Sequence, residues 1–221
     1  KRQEVRGAGP GYMNFALIAL NVVVFLFQAT MDPGTAQDFV NRWGVIPVQI
    51  LQGNQLMTLL TSMFLHGGWV HLIGNMLFLW VFGDNIEAVL GHIGYLIFYL
   101  AGGLFAALAH AFINPASTLP TVGASGAIAA VLGAYLVFYP RSRVQTFIPI
   151  GYFLTLKTLP ASLLLAFWFV LQLFSGVLSL GAVEDVGGTA FWAHIGGFAL
   201  GVVVALVIGK GREPDRYQPQ W

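Results

Sequence analysis

Long apolar stretches separated by short polar breaks run along most of this chain. Runs near the ~20 residues that a membrane-spanning helix needs fall at Tyr12–Thr30, Trp69–Val89, Ile93–Ile113, Leu159–Leu178 and Thr189–Ile208. Each predicts a helix, because lipid offers the backbone no hydrogen-bond partner from outside the segment. A further run, Ser125–Tyr139, is short. At ~1.5 Å per residue it covers roughly 22 Å of a ~30 Å hydrocarbon core. Ser125 is therefore expected below the membrane surface. The irregular backbone above it must be protein-buried or line water. Between the first two spans, Met31–Gly68 mixes Asp32, Asp38 and Arg42 with Trp43, Ile46, Ile50, Met57 and Leu60. That mixture fits an interfacial loop with short amphipathic helices, with an ordinary extramembrane loop as the equal alternative. The pattern as a whole predicts an all-α membrane protein: a six-helix bundle with a short central fourth helix and a long first loop. Its parts are a polar segment 1–11, a membrane domain 12–208 and a polar tail 209–221.

Composition supports the membrane reading. The chain is 57% hydrophobic and 9% charged, whereas soluble domains carry about 25% charge. A net charge of +1 gives no case for nucleic acid, and the lack of cysteine removes disulfides and thiol chemistry. The placement of charge adds a direction. Lys1, Arg2, Arg6, Arg141, Arg143, Lys157, Lys210, Arg212 and Arg216 fall on the side of the two termini, and only Arg42 falls opposite. By the positive-inside rule both termini are expected in the cytoplasm. No internal repeat of the transporter kind is evident.

Orientation then sorts the polar residues by depth. Ser125 opens the fourth span from the outer side, between Gly123 and Gly126. A helix start offers free N–H groups and a positive dipole end, so a nucleophile and an oxyanion pocket can share one turn. His194 lies about one turn into the sixth span, and His71 and Asn75 lie within two turns of the outer end of the second. Three spans thus bring a hydroxyl, a base and oxyanion donors to one depth, which is the set that acyl transfer needs. Gly197, Gly201 and Ala205 continue the face of His194, and Gly126, Ala130 and Ala134 form a matching small stripe. Such stripes let helices approach closely, which would bring His194 to Ser125. The plainer reading of each residue is packing or interhelical hydrogen bonding. His66 is expected at the loop boundary, and His92 and His110 are read as structural. A zinc site from His66, His71 and His194 lacks the H-E-x-x-H spacing, so no metal or other cofactor is expected.

These residues resemble the rhomboid family of intramembrane serine proteases across about Tyr12–Ile208. The likeness rests on Gly123-Ala124-Ser125-Gly126, on Ala193-His194 followed by Gly197 and Gly201, and on His66, His71 and Asn75 in their spacing. Glu87 with Gly91 and the long first loop also fit. The resemblance implies a rhomboid-like bundle with a Ser-His dyad and no third acid. Ser125 would be the nucleophile and His194 the general base. His71, Asn75 and the Ser125 backbone N–H would form the oxyanion hole. Some family members carry an aromatic residue four positions after the serine, stacked on the histidine. Ala129 stands there in this chain, so something else must orient His194. Arg42-Trp43 also departs in order from some relatives.

The resemblance further implies cleavage of single-span or other transmembrane protein substrates within the bilayer. Phe167, Trp168 and Phe169, with the loop Ser179–Gly188, would serve as gate and cap, although lipid contact explains those aromatics more readily. Glu184 and Asp185 of that loop show no helical spacing that would make either a triad acid. With no evident transit peptide or seventh span, a bacterial inner membrane is the expected location. The alternatives are a non-catalytic rhomboid-like binder of transmembrane segments and a small transporter.

Overall fold

A computed structural model describes residues 11–150, 153–180 and 190–209. Helix α1, Tyr12–Gln28, leads into a first loop that carries α2, Pro33–Trp43, α3, Pro47–Leu51, and α4, Thr58–Thr61. Helix α2 starts where the Asp32 side chain accepts from the Gly34 and Thr35 N–H groups, with Pro33 in its first turn. Both are favoured helix-start devices. Helix α5, Trp69–Phe78, passes through a π turn, Leu79–Gly83, into α6, Asp84–Leu90. Gly91, at φ 75°, breaks the chain before α7, His92–Ile113. Helix α8 is Ser125–Phe138, α9 is Ala161–Ser179 and α10 is Phe191–Gly209.

Among the described residues, four continuous helices are long and apolar enough to cross a membrane: Trp69–Leu90, His92–Ile113, Ala161–Ser179 and Phe191–Gly209. Tyr12–Gln28 and Ser125–Phe138 are apolar but shorter. Residues 1–10 of the predicted polar segment, the Glu184–Asp185 loop and the tail beyond Gly209 lie outside the described residues.

The all-α expectation is corrected between α8 and α9. Strand β1, Arg143–Ile150, pairs antiparallel with β2, Phe153–Pro160. Val144, Thr146, Ile148 and Ile150 alternate along β1. Such β-branched residues at a period of two suit a strand. Pro160 also disfavours helix at Leu159, which pairs with Val144 instead. The fifth predicted span therefore begins at Ala161, whose N–H donates to the Ser142 carbonyl at 2.9 Å.

Helix α8 is the hub. Every residue from Gly126 to Tyr135 is buried, and α8 packs most extensively on α10 and α7. Glycine makes the α8–α10 seam possible. A Cβ at Gly197 would lie 2.2 Å from the Gly126 carbonyl oxygen, and one at Gly201 would lie 2.0 Å from that of Ala130. Neither separation is sterically possible, so the backbones approach this closely only without side chains there.

The other end of the bundle is pinned by a polar knot. The buried Glu87 carboxylate accepts from the Met13 N–H at 2.9 Å and the Asn14 N–H at 2.7 Å. Two of the orphan donors at the start of α1 are thereby satisfied. The Asn14 amide donates to the Leu79 carbonyl in the π turn at 2.9 Å and accepts from the Tyr95 hydroxyl at 2.8 Å. These bonds tie α1, α5–α6 and α7 together and hold the frame in which α8 sits.

Candidate active site

Ser125 opens α8 directly after a loop that the first loop supports from below. The Gly123 N–H donates to the Ser62 carbonyl at 2.9 Å, and Val45 and Thr121 exchange two backbone hydrogen bonds. Gly123 has φ 129°, a conformation that side-chain-bearing residues rarely adopt. A Cβ there would lie 2.7 Å from His71 Nε2 and 3.6 Å from Ser125 Oγ. The absence of a side chain at Gly123 thus lets the His71 ring lie against the serine turn.

Helix α10 brings the base. His194 Nε2 lies 2.8 Å from Ser125 Oγ, across 69 residues of chain. His194 is buried. The close α8–α10 seam at Gly197, one turn further along α10, sets this separation. On its other side, His194 Nδ1 lies 2.7 Å from Gln172 Oε1. The Trp168 ring lies on the imidazole, with centroids 5.7 Å apart and planes 35° from each other. Trp168 and Gln172 are four residues apart on α9, so they share one face.

The sequence left open what orients His194 with Ala129 in the aromatic position. Ala129 is fully buried, and α9 supplies both the aromatic face and the Nδ1 partner. A single amide in an otherwise apolar span was the signal that could have found Gln172, since polar side chains in membrane helices seek partners across helices. Of the three neighbouring aromatics, Phe167 is exposed, Trp168 reaches His194 and Phe169 stacks on Phe198 with centroids 4.5 Å apart.

Helix α5 contributes the remaining predicted residues. His71 Nδ1 accepts from the Gly67 N–H at 3.3 Å, which leaves the hydrogen on Nε2, the nitrogen nearest Gly123. Asn75, one turn on, is buried, and its Nδ2 has no hydrogen-bond partner. A buried amide donor without a partner is costly. His66 is fully buried against His71, with ring centroids 5.1 Å apart and neither ring nitrogen bonded. Burial, and secondarily the His71 charge, holds the His66 imidazole down to about 4, so it is neutral at ordinary pH. His110 lies near the site too, with Nε2 3.2 Å from Thr121 Oγ1. His92 pairs with Glu87 at the far end of the bundle.

Beside Ser125 is a cavity of about 30 Å³, bounded by Ser62, Met63, Gly103, His110 and Thr121 among others. It has room for about two waters. The site therefore holds a hydroxyl on an imidazole, the His71 ring against the serine turn and a small space with mostly apolar walls that Ser62, His110 and Thr121 interrupt.

A bundle of apolar helices around a half-buried serine and a buried histidine defines a multi-pass integral membrane protein with a site inside its helical layer. The family model for the Rhomboid domain matches residues 53–211, and the chain belongs to the rhomboid family. It is 27% identical over 201 residues to the Rhomboid protease GluP of Bacillus subtilis, covering 91% of this chain and 36% of that protein. It is 27% identical over 214 residues to Rhomboid protein 1, mitochondrial, of Saccharomyces cerevisiae, covering 94% and 56%. With RHOMBOID-like protein 6, mitochondrial, of Arabidopsis thaliana the identity is 30% over 177 residues, covering 78% and 52%. The chain thus spans between about a third and somewhat over half of the length of these relatives.

Proposed function

We propose that the protein is an intramembrane serine endopeptidase that cuts peptide bonds in or near the transmembrane segments of other membrane proteins. The observation that carries this reading is the 2.8 Å contact between Ser125 Oγ and His194 Nε2. In the proposed reaction Ser125 Oγ attacks the scissile carbonyl carbon while its proton passes to His194 Nε2. The carbonyl π pair moves onto oxygen, where His71 Nε2–H, Asn75 Nδ2–H and the Ser125 N–H stabilise it. On collapse, the C–N bond breaks and His194 gives the proton to the leaving amine. Water then attacks the acyl carbon while His194 takes its proton; the acyl–Oγ bond breaks, and His194 returns the proton to Ser125 Oγ. The cavity beside Ser125 suits that water.

A substrate helix hides its carbonyls in its own hydrogen bonds, so it must unwind before attack. Residues of low helix propensity near the cut favour this. Phe167, exposed on α9, suits contact with lipid or an entering substrate segment. The two shorter apolar helices are read as the first and fourth of six spans. The distribution of Lys and Arg supports cytoplasmic termini and a site open to the outer side; a bacterial inner membrane is the proposed location. The preserved hydroxyl–imidazole contact favours this reading over a non-catalytic binder of transmembrane segments.

The test is cleavage of a reporter with one transmembrane helix in liposomes. Wild-type protein is expected to cut it, while Ser125→Ala and His194→Ala, folded to the same extent, leave it intact. Undiminished cutting by either variant overturns the assignment.

A further inference from the structure

We propose that Gln172 is a positioning residue that fixes the tautomer of His194 and so sets it as a base towards Ser125. The inference rests on the dyad reading above. A neutral imidazole carries one hydrogen, and which nitrogen bears it depends on the partner of the other. A general base for Ser125 needs a lone pair on Nε2 and therefore the hydrogen on Nδ1. Gln172 Oε1, an acceptor, lies 2.7 Å from Nδ1. Accepting there holds the hydrogen on Nδ1 and leaves Nε2 free to take the serine proton.

The surrounding geometry supports the same role. Trp168, one turn before Gln172, packs against the imidazole in a tilted contact and restricts its movement. Aromatic face and amide come from one helix, so α9 fixes both the plane of the imidazole and its proton. Gln172 touches no reacting atom and acts through His194. As His194 becomes an imidazolium during attack, the amide dipole keeps its oxygen on the positive Nδ1–H, which favours the charged state without a carboxylate.

The experiment compares Gln172→Met, which keeps length but has no strong acceptor, with Gln172→Glu, which when ionised can only accept. Fluorophosphonate labelling rate and reporter kcat and KM are measured for each, with the ¹⁵N signals of His194 assigned by difference from His194→Ala. Gln172→Met is expected to lower kcat and labelling about tenfold to a hundredfold, within the ~10²–10⁴-fold span of general-base catalysis. KM should stay near wild type, and the His194 hydrogen should shift towards Nε2. Gln172→Glu is expected to keep the hydrogen on Nδ1 and restore most of the rate. Wild-type labelling by Gln172→Met, or equal loss in Gln172→Glu and Gln172→Met, overturns the positioning role and leaves the dyad standing. Labelling that persists in Ser125→Ala removes the dyad and the inference together.

Discussion

Gly197→Ala tests whether the helix seam, rather than the site residues alone, sets the dyad. The added Cβ would lie 2.2 Å from the Gly126 carbonyl oxygen and 3.3 Å from Ala129 Cβ. The first atom is backbone, so no side-chain rotation relieves it. A carbon–oxygen contact needs about 3.2 Å, so α10 and α8 must separate locally by about 1 Å, a demand that a close-packed interior resists. His194 is one turn from Gly197 on α10, and Ser125 precedes Gly126 on α8. The same displacement stretches the 2.8 Å hydrogen bond to roughly 3.8 Å, beyond a hydrogen bond. A misplacement of ~1 Å in a reacting pair costs about a hundredfold in rate, and overpacking costs ~1–3 kcal/mol of stability. The assay is the fluorophosphonate labelling rate alongside thermal unfolding in detergent. Gly94→Ala is the control, because its Cβ would meet nothing closer than 3.4 Å. Labelling of folded Gly197→Ala within twofold of wild type would refute the seam argument.

Three further outcomes follow from the geometry. Asn75→Ala and His71→Ala should each lower kcat by about 10²–10³-fold, as loss of one oxyanion donor does, while the Ser125–His194 contact persists; turnover at wild-type rate would exclude the residue from the hole. Glu87→Ala leaves the Met13 and Asn14 N–H groups without their acceptor and should lower stability by about 1–3 kcal/mol, read as a shift in thermal midpoint; an unchanged midpoint would show that water replaces the carboxylate. The unfolded chain protonates His66 near its ordinary ~6.5, whereas the folded chain holds it down to about 4. Folded protein therefore binds fewer protons between those values, and stability falls as pH drops through that window. His66→Gln should flatten the dependence of the thermal midpoint on pH there, and an identical slope in both proteins would contradict it.

Much of the frame was legible because lipid narrows the options. A long apolar run has little choice but helix, so the predicted span Ile93–Ile113 differs from α7 by one residue at its start. The side chains brought together at Ser125 were legible because their depths agree along separate spans. The β1–β2 hairpin lay outside the span pattern: its signal is the period-two alternation of Val144, Thr146, Ile148 and Ile150, which a hydropathy run does not carry. The Leu159 boundary differs because the apolar run continues through Pro160 although helix cannot easily precede it. Trp168 and Gln172 were the larger gap. An aromatic in a membrane span is as easily lipid-facing as buried, and hydropathy alone does not say which way a helix is turned. Only the packing of α9 on α10 brings that face to His194.

The central claim is that Ser125 is the nucleophile, activated by His194. Its most direct measurement is peptide mass mapping after fluorophosphonate treatment of the folded protein. The account predicts one adduct, on the peptide that contains Ser125, absent in His194→Ala. An adduct on another residue, or an unmodified Ser125 in a preparation that cleaves the reporter, would contradict it.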